Sequence, residues 1–82
     1  MKSQANNAFA ITLRKLRNDR CMSQYALARV TDLDRTYISL LERGLRSPSL
    51  DTMLTLARGL NVSLVEMAVA VESTLLAGPP SA

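Results

Sequence analysis

Apolar residues return along this chain in steps of three and four, and nowhere in steps of two, so the pattern predicts helices and no strands. Phe9, Leu13 and Leu16 fall at i, i+4 and i+7, one stripe of a helix from about Asn6 to Arg20, with Arg14, Lys15 and Asp19 off the stripe. Ser23 is a good N-cap for a second helix, whose apolar face is Ala26, Leu27 and Val30 and in which Ala28 is small. Asp34 caps a third, with Ile38 and Leu41 pointing inward and Gly44 able to take the left-handed conformation that ends it.

Ser47-Pro48-Ser49 breaks the pattern, and Ser49 starts a fourth helix with Leu50, Met53, Ala57 and Leu60 on one face and Asn61 closing it. Ser63 with Glu66 three residues later forms a capping box for a fifth helix that runs through Val71 toward Leu76. The expected organisation is therefore all-α, a compact five-helix domain over residues 6–76, followed by a flexible C-terminal tail at 77–82 rich in glycine and proline.

The middle pair carries the chemistry. A plain helical hairpin needs only a polar loop. A helix-turn-helix needs a small residue where the helices cross, a residue tolerant of positive φ in the turn and an apolar one after it. Ala28, Asp32 and Leu33 supply these.

Composition narrows the function classes. An 82-residue chain with 48% apolar and 21% charged residues suits one small globular domain, which buries only about 60 to 65% of its unfolded surface and gains from a partner subunit. There is no histidine and a single cysteine, Cys21. An internal disulfide is excluded, and no metal cluster, cofactor site or catalytic constellation is expected. With no long uncharged apolar run and no secretory pattern, the expected location is the cytoplasm, with no membrane partner.

The net charge of +3 is unevenly spread: the eight basic residues from Arg14 to Arg46 outnumber Asp19, Asp32, Asp34 and Glu42 in the same stretch, whereas beyond Ser47 Arg58 is set against Asp51, Glu66 and Glu72. A basic front suits a protein that presents one face to phosphates.

At about 100° per residue, Ile38 and Leu41 face inward and turn Arg35, Thr36, Ser39, Leu40 and Arg43 outward, toward a DNA major groove. Arg35 lies at the end of the helix that reaches base edges and can pair bidentately with guanine, which makes it the main candidate for specificity. Thr36 can bond a base or pack on a thymine methyl, Ser39 can bond a base or phosphate, and Leu40 offers an apolar contact. Gln24 opens the second helix, whose outward amides attract phosphate. Tyr37, Arg43 and Arg46 are candidates for flanking phosphates, Tyr37 having core packing as its alternative.

These residues resemble the Cro and lambda-repressor-like (XRE) helix-turn-helix family over about residues 9–67, through Leu16-Arg17, Ser23-Gln24, Leu27-Ala28, Tyr37-Ile38-Ser39, Glu42-Arg43-Gly44, Pro48-Ser49-Leu50 and Ala57 with Leu60. The run from Leu33 to Ser39 is most similar to the controller proteins of restriction-modification systems. The resemblance implies a lambda-repressor-like fold and a transcriptional regulator that binds double-stranded DNA at a palindromic operator as a homodimer, repressing or activating by operator position, with RNA polymerase a further candidate partner. It also implies that Gln24 binds the DNA backbone and braces the recognition helix, and that Arg17 and Glu42 form a structural ion pair. Two positions depart from the family: Cys21 and Asp32 stand where glycine is usual.

One such domain touches few base pairs, so dimerisation is the second requirement. The fifth helix offers two stripes, Leu64, Met67, Ala68, Val71 and Leu75 against the domain and Val65, Val69 and Leu76 for a symmetry mate. The alternatives are a phage-type repressor and an antitoxin or other protein-interaction module that uses the fifth helix.

Overall fold

A computed structural model describes residues 3–78. Five helices follow one another: α1 (Gln4–Asp19), α2 (Gln24–Thr31), α3 (Arg35–Glu42), α4 (Leu50–Gly59) and α5 (Leu64–Ala77). Each begins on a side-chain cap, from Ser3, Ser23, Asp34, Ser49 and Ser63 respectively. These caps satisfy amides that the first helical turn leaves without partners. At α5 the box is complete, and the backbone amide and hydroxyl of Ser63 hold the exposed Glu66 carboxyl below the usual carboxylate range.

Chain reversals are made by residues at positive φ. Cys21 (54°), Asp32 (59°) and Asn61 (60°) take the left-handed region without being glycine, and Gly44 takes it at 73°. Cys21 thus adopts the conformation for which the family uses glycine, at a cost on the order of 1 kcal/mol.

The core is Phe9 and Leu13 of α1, Leu27 of α2, Ile38 and Leu41 of α3, Leu56, Ala57 and Leu60 at α4, and Met67 of α5. Leu16, Met22, Ala28, Leu33, Tyr37, Met53, Val62 and Val71 close its edges. α1 runs between α5 and α3, while α2 packs on α3 and α4. The α2–α4 approach is close: a Cβ at Gly59 would come within 2.5 Å of Thr31 Cγ2.

Several expectations need correction. Val30, expected inward, is 58% exposed, and Thr31 is buried instead. Thr31 lies one full turn after Leu27 and donates its hydroxyl to the Leu27 carbonyl, so it goes inside with its polar atom satisfied. Leu50 is 58% exposed, because the first residue of α4 lies past the edge of the core; Leu56 completes the inward stripe with Met53, Ala57 and Leu60.

On α5 the face toward the domain is centred on Met67, Ala70, Val71 and Thr74, where Thr74 meets Thr12 of α1 at 3.4 Å between hydroxyls. Ala68 and Leu75, placed on that face by the sequence reading, are exposed. α1 begins two residues early, since the Ser3 hydroxyl accepts the Asn6 amide at 2.9 Å. Of the tail expected over 77–82, Ala77 ends α5 and Gly78 is its C-cap, while 79–82 lie outside the described residues. No single helix among the described residues is long and apolar enough to cross a membrane.

Candidate nucleic-acid interface

α2 and α3 present one continuous outward surface because the turn between them is fixed at every step. Asp32 reverses the chain at positive φ, Leu33 turns in against the core, and its amide donates to the Thr31 hydroxyl at 3.4 Å. The Asp34 carboxylate then accepts the Thr36 amide at 2.8 Å and starts α3. Burial of Ile38, Leu41 and Glu42 sets the rotation of this helix.

That rotation leaves Arg35, Thr36 and Arg43 exposed, as the periodicity requires. Ser39 and Leu40 sit half-buried at the edge of the exposed strip, so Leu40 is less outward than expected. Arg46, in the loop after α3, is exposed and its guanidinium lies over the Tyr37 ring, 5.9 Å from the centroid. Tyr37 is half-buried, packs on the core and places its hydroxyl 3.4 Å from that of Thr52 on α4. The packing alternative for Tyr37 is what this geometry contains: the ring lies against the core and the hydroxyl faces Thr52.

Behind the surface lies a buried ion pair. Arg17 Nε donates to Glu42 Oε2 at 2.6 Å and Nη2 to Oε1 at 2.9 Å, while Nη1 donates to the Met22 carbonyl at 2.8 Å. Glu42 is only 3% exposed. The hydrogen bonds to Glu42 raise the pKa of Arg17 above its ordinary value in spite of burial. Arg14 adds a bond to the Glu42 backbone carbonyl at 2.8 Å, a contact not apparent from the sequence.

Glu42 also reaches forward, where Gln24 Nε2 donates to its Oε1 at 3.1 Å. This fixes which way the amide points and turns Gln24 Oε1 toward solvent, where it accepts from Arg35 Nη1 at 3.3 Å. A chain of polar contacts therefore runs Arg17, Glu42, Gln24, Arg35, from the core to the surface. At its outer end the Arg35 guanidinium lies over the ring of Tyr25, 5.0 Å from the centroid. Tyr25, 71% exposed, was missed by sequence reasoning. Its signal was present: an aromatic residue directly after Gln24, on the polar face of α2.

Val65, Val69 and Leu76 are 71%, 56% and 88% exposed on α5, on the side away from the core. Leu54 of α4, at 42%, is also uncovered. These apolar side chains have no partner within the domain that covers them. They are separate from the polar strip of α2 and α3.

Comparison with known proteins agrees with this architecture. The helix-turn-helix family model matches residues 13–67. The chain is 40% identical over 58 residues to control protein C.SmaI of Serratia marcescens, covering 71% of this chain and 69% of that protein. Control protein C.MunI of Mycoplasma sp. is 40% identical over 60 residues, 72% of this chain and 81% of that one. The restriction-modification controller protein C.Esp1396I, solved as a tetramer with its natural 35-base-pair operator, superposes with a TM-score of 0.86 at 31% identity, over 92% of this chain and 99% of that one.

Proposed function

This chain belongs to the XRE-type helix-turn-helix family, alongside the control proteins of restriction-modification systems, and we propose that it is itself such a controller, a transcriptional regulator that binds a palindromic DNA operator as a homodimer. The observation that carries the reading is Arg35: an exposed guanidinium at the N-terminal end of α3, held at its base by Gln24, on a helix whose rotation is fixed by three buried residues.

In this reading Arg35, Thr36, Ser39 and Leu40 meet base edges, with Arg35 paired to a guanine in the major groove. Gln24, Tyr37, Arg43 and Arg46 hold the phosphates on either side. Arg17 and Glu42 touch no DNA and set the height and angle of Gln24 instead. Val65, Val69 and Leu76 cover their counterparts in a second copy. The protein acts by occupying DNA, with no catalytic step.

The test is selection of bound sites from random duplex DNA, followed by titrations of the parent and Arg35→Ala. A palindrome with half-sites one helical turn apart is expected, with affinity falling steeply as salt rises. At the base pair read by Arg35, the variant should lose roughly 1–3 kcal/mol of discrimination. Equal binding of parent and variant to every sequence would overturn the proposal. An antitoxin-like module using α5 would be revealed by a monomer that selects no sequence.

A further inference from the structure

The function of Arg35 depends on where its guanidinium is when DNA arrives. Arginine has a long, freely rotating stem, and bidentate recognition of a guanine requires one plane and one edge to be presented. An exposed arginine with no lateral support would have to give up that freedom on every binding event. Here two contacts restrict it from different directions. Gln24 Oε1 accepts from Nη1 at 3.3 Å, and the Tyr25 ring lies beneath the guanidinium at 5.0 Å from its centroid. Among the described residues, no side chain bonds the Nε and Nη2 edge.

From this geometry we infer that Tyr25 is a specificity-determining positioning residue: its ring holds the Arg35 guanidinium in place beside α2 while Gln24 fixes its rotation, so that the Nε–Nη2 edge is aimed at a base. The inference rests on the reading of Arg35 as the base-contacting arginine.

Three observations support it. Tyr25 is 71% exposed and outside the core cluster, so packing does not account for an aromatic residue there. It shares the first turn of α2 with Gln24, which the buried Glu42 anchors at 3.1 Å, and so the platform has a fixed base. The attraction is between a cation and the face of a ring, and it is lost when the guanidinium withdraws from the ring. Tyr25 acts through Arg35, and its effect is confined to the base that Arg35 reads.

The experiment compares the full-length parent, Tyr25→Phe, Tyr25→Leu and Arg35→Ala on the selected operator and on operators changed one base pair at a time. Arg35→Ala identifies the base pair in question as the one whose discrimination disappears. Tyr25→Phe keeps the ring and should match the parent. Tyr25→Leu should reduce discrimination at that base pair about two- to fivefold per half-site. Discrimination elsewhere, the salt slope and the thermal melting curve should stay at parental values.

A parental value for Tyr25→Leu at that base pair would overturn the inference while leaving the role of Arg35 intact. So would a loss spread evenly over all sequences, which is the mark of a simple backbone contact. Full discrimination by Arg35→Ala would remove the reading of Arg35 and the inference with it.

Discussion

Glu42 is the residue on which the polar architecture converges, with one carboxylate serving Arg17 from behind and Gln24 from in front. At 3% exposure it cannot exchange these partners for water. Removing one member of such a pair leaves the other charge buried and uncompensated, which typically costs about 3–5 kcal/mol. That is comparable to the whole stability of a domain of this size. Glu42→Ala is therefore expected to be largely unfolded at room temperature, as read by urea denaturation followed by circular dichroism. Retention of parental stability would show that the pair is incidental.

Helices in this chain owe their positions to a few close approaches, and Gly59 is the clearest. On an isolated helix, alanine in place of glycine would gain about 1 kcal/mol in propensity. Here the new methyl would meet Thr31 Cγ2 at 2.5 Å and Val30 Cγ2 at 3.3 Å. Thr31 is β-branched, and its hydroxyl is engaged with the Leu27 carbonyl at 2.6 Å, so it has little room to turn away. Overpacking of this kind costs roughly 1–3 kcal/mol and outweighs the propensity gain. Gly59→Ala should lower the urea midpoint, and since α2 is the element displaced, it should weaken DNA binding under conditions where the fold persists. A raised midpoint would mean that α2 and α4 separate without cost.

One copy of the chain measures about 33 × 24 × 24 Å, no longer than a single turn of duplex, so in the proposed reading it reads one half-site. In the proposed reading a second copy makes a palindrome readable and α5 supplies the contact surface, where Val65 is 71% and Val69 56% exposed. Charges placed there leave the core untouched but oppose their counterparts across a two-fold axis. For Val65→Glu/Val69→Glu we expect a monomer by sedimentation equilibrium, an unchanged circular dichroism spectrum and at least tenfold weaker binding to the full operator, with half-site contacts preserved. A dimer of parental affinity would place the symmetry contact elsewhere on the molecule.

The helices were legible in the sequence because capping and periodicity are local: Ser23, Asp34, Ser49 and Ser63 start helices wherever they meet an apolar repeat, and Asp32 and Gly44 stop them. The outward face of α3 was legible for the same reason, since Ile38 and Leu41 set its phase. Which of two adjacent residues goes inside was not, as Val30 and Thr31 show, because hydropathy favours valine and only the packing of α2 on α4 admits the hydrogen-bonded threonine. Nor could spacing place Tyr25 under Arg35, eleven residues apart and on different helices. The sequence by itself determined five helices and an exposed basic face on α3. Tertiary structure alone decided how the buried Arg17–Glu42 pair reaches through Gln24 to that surface, since side chains distant in the chain meet only after the core has set the angles between helices.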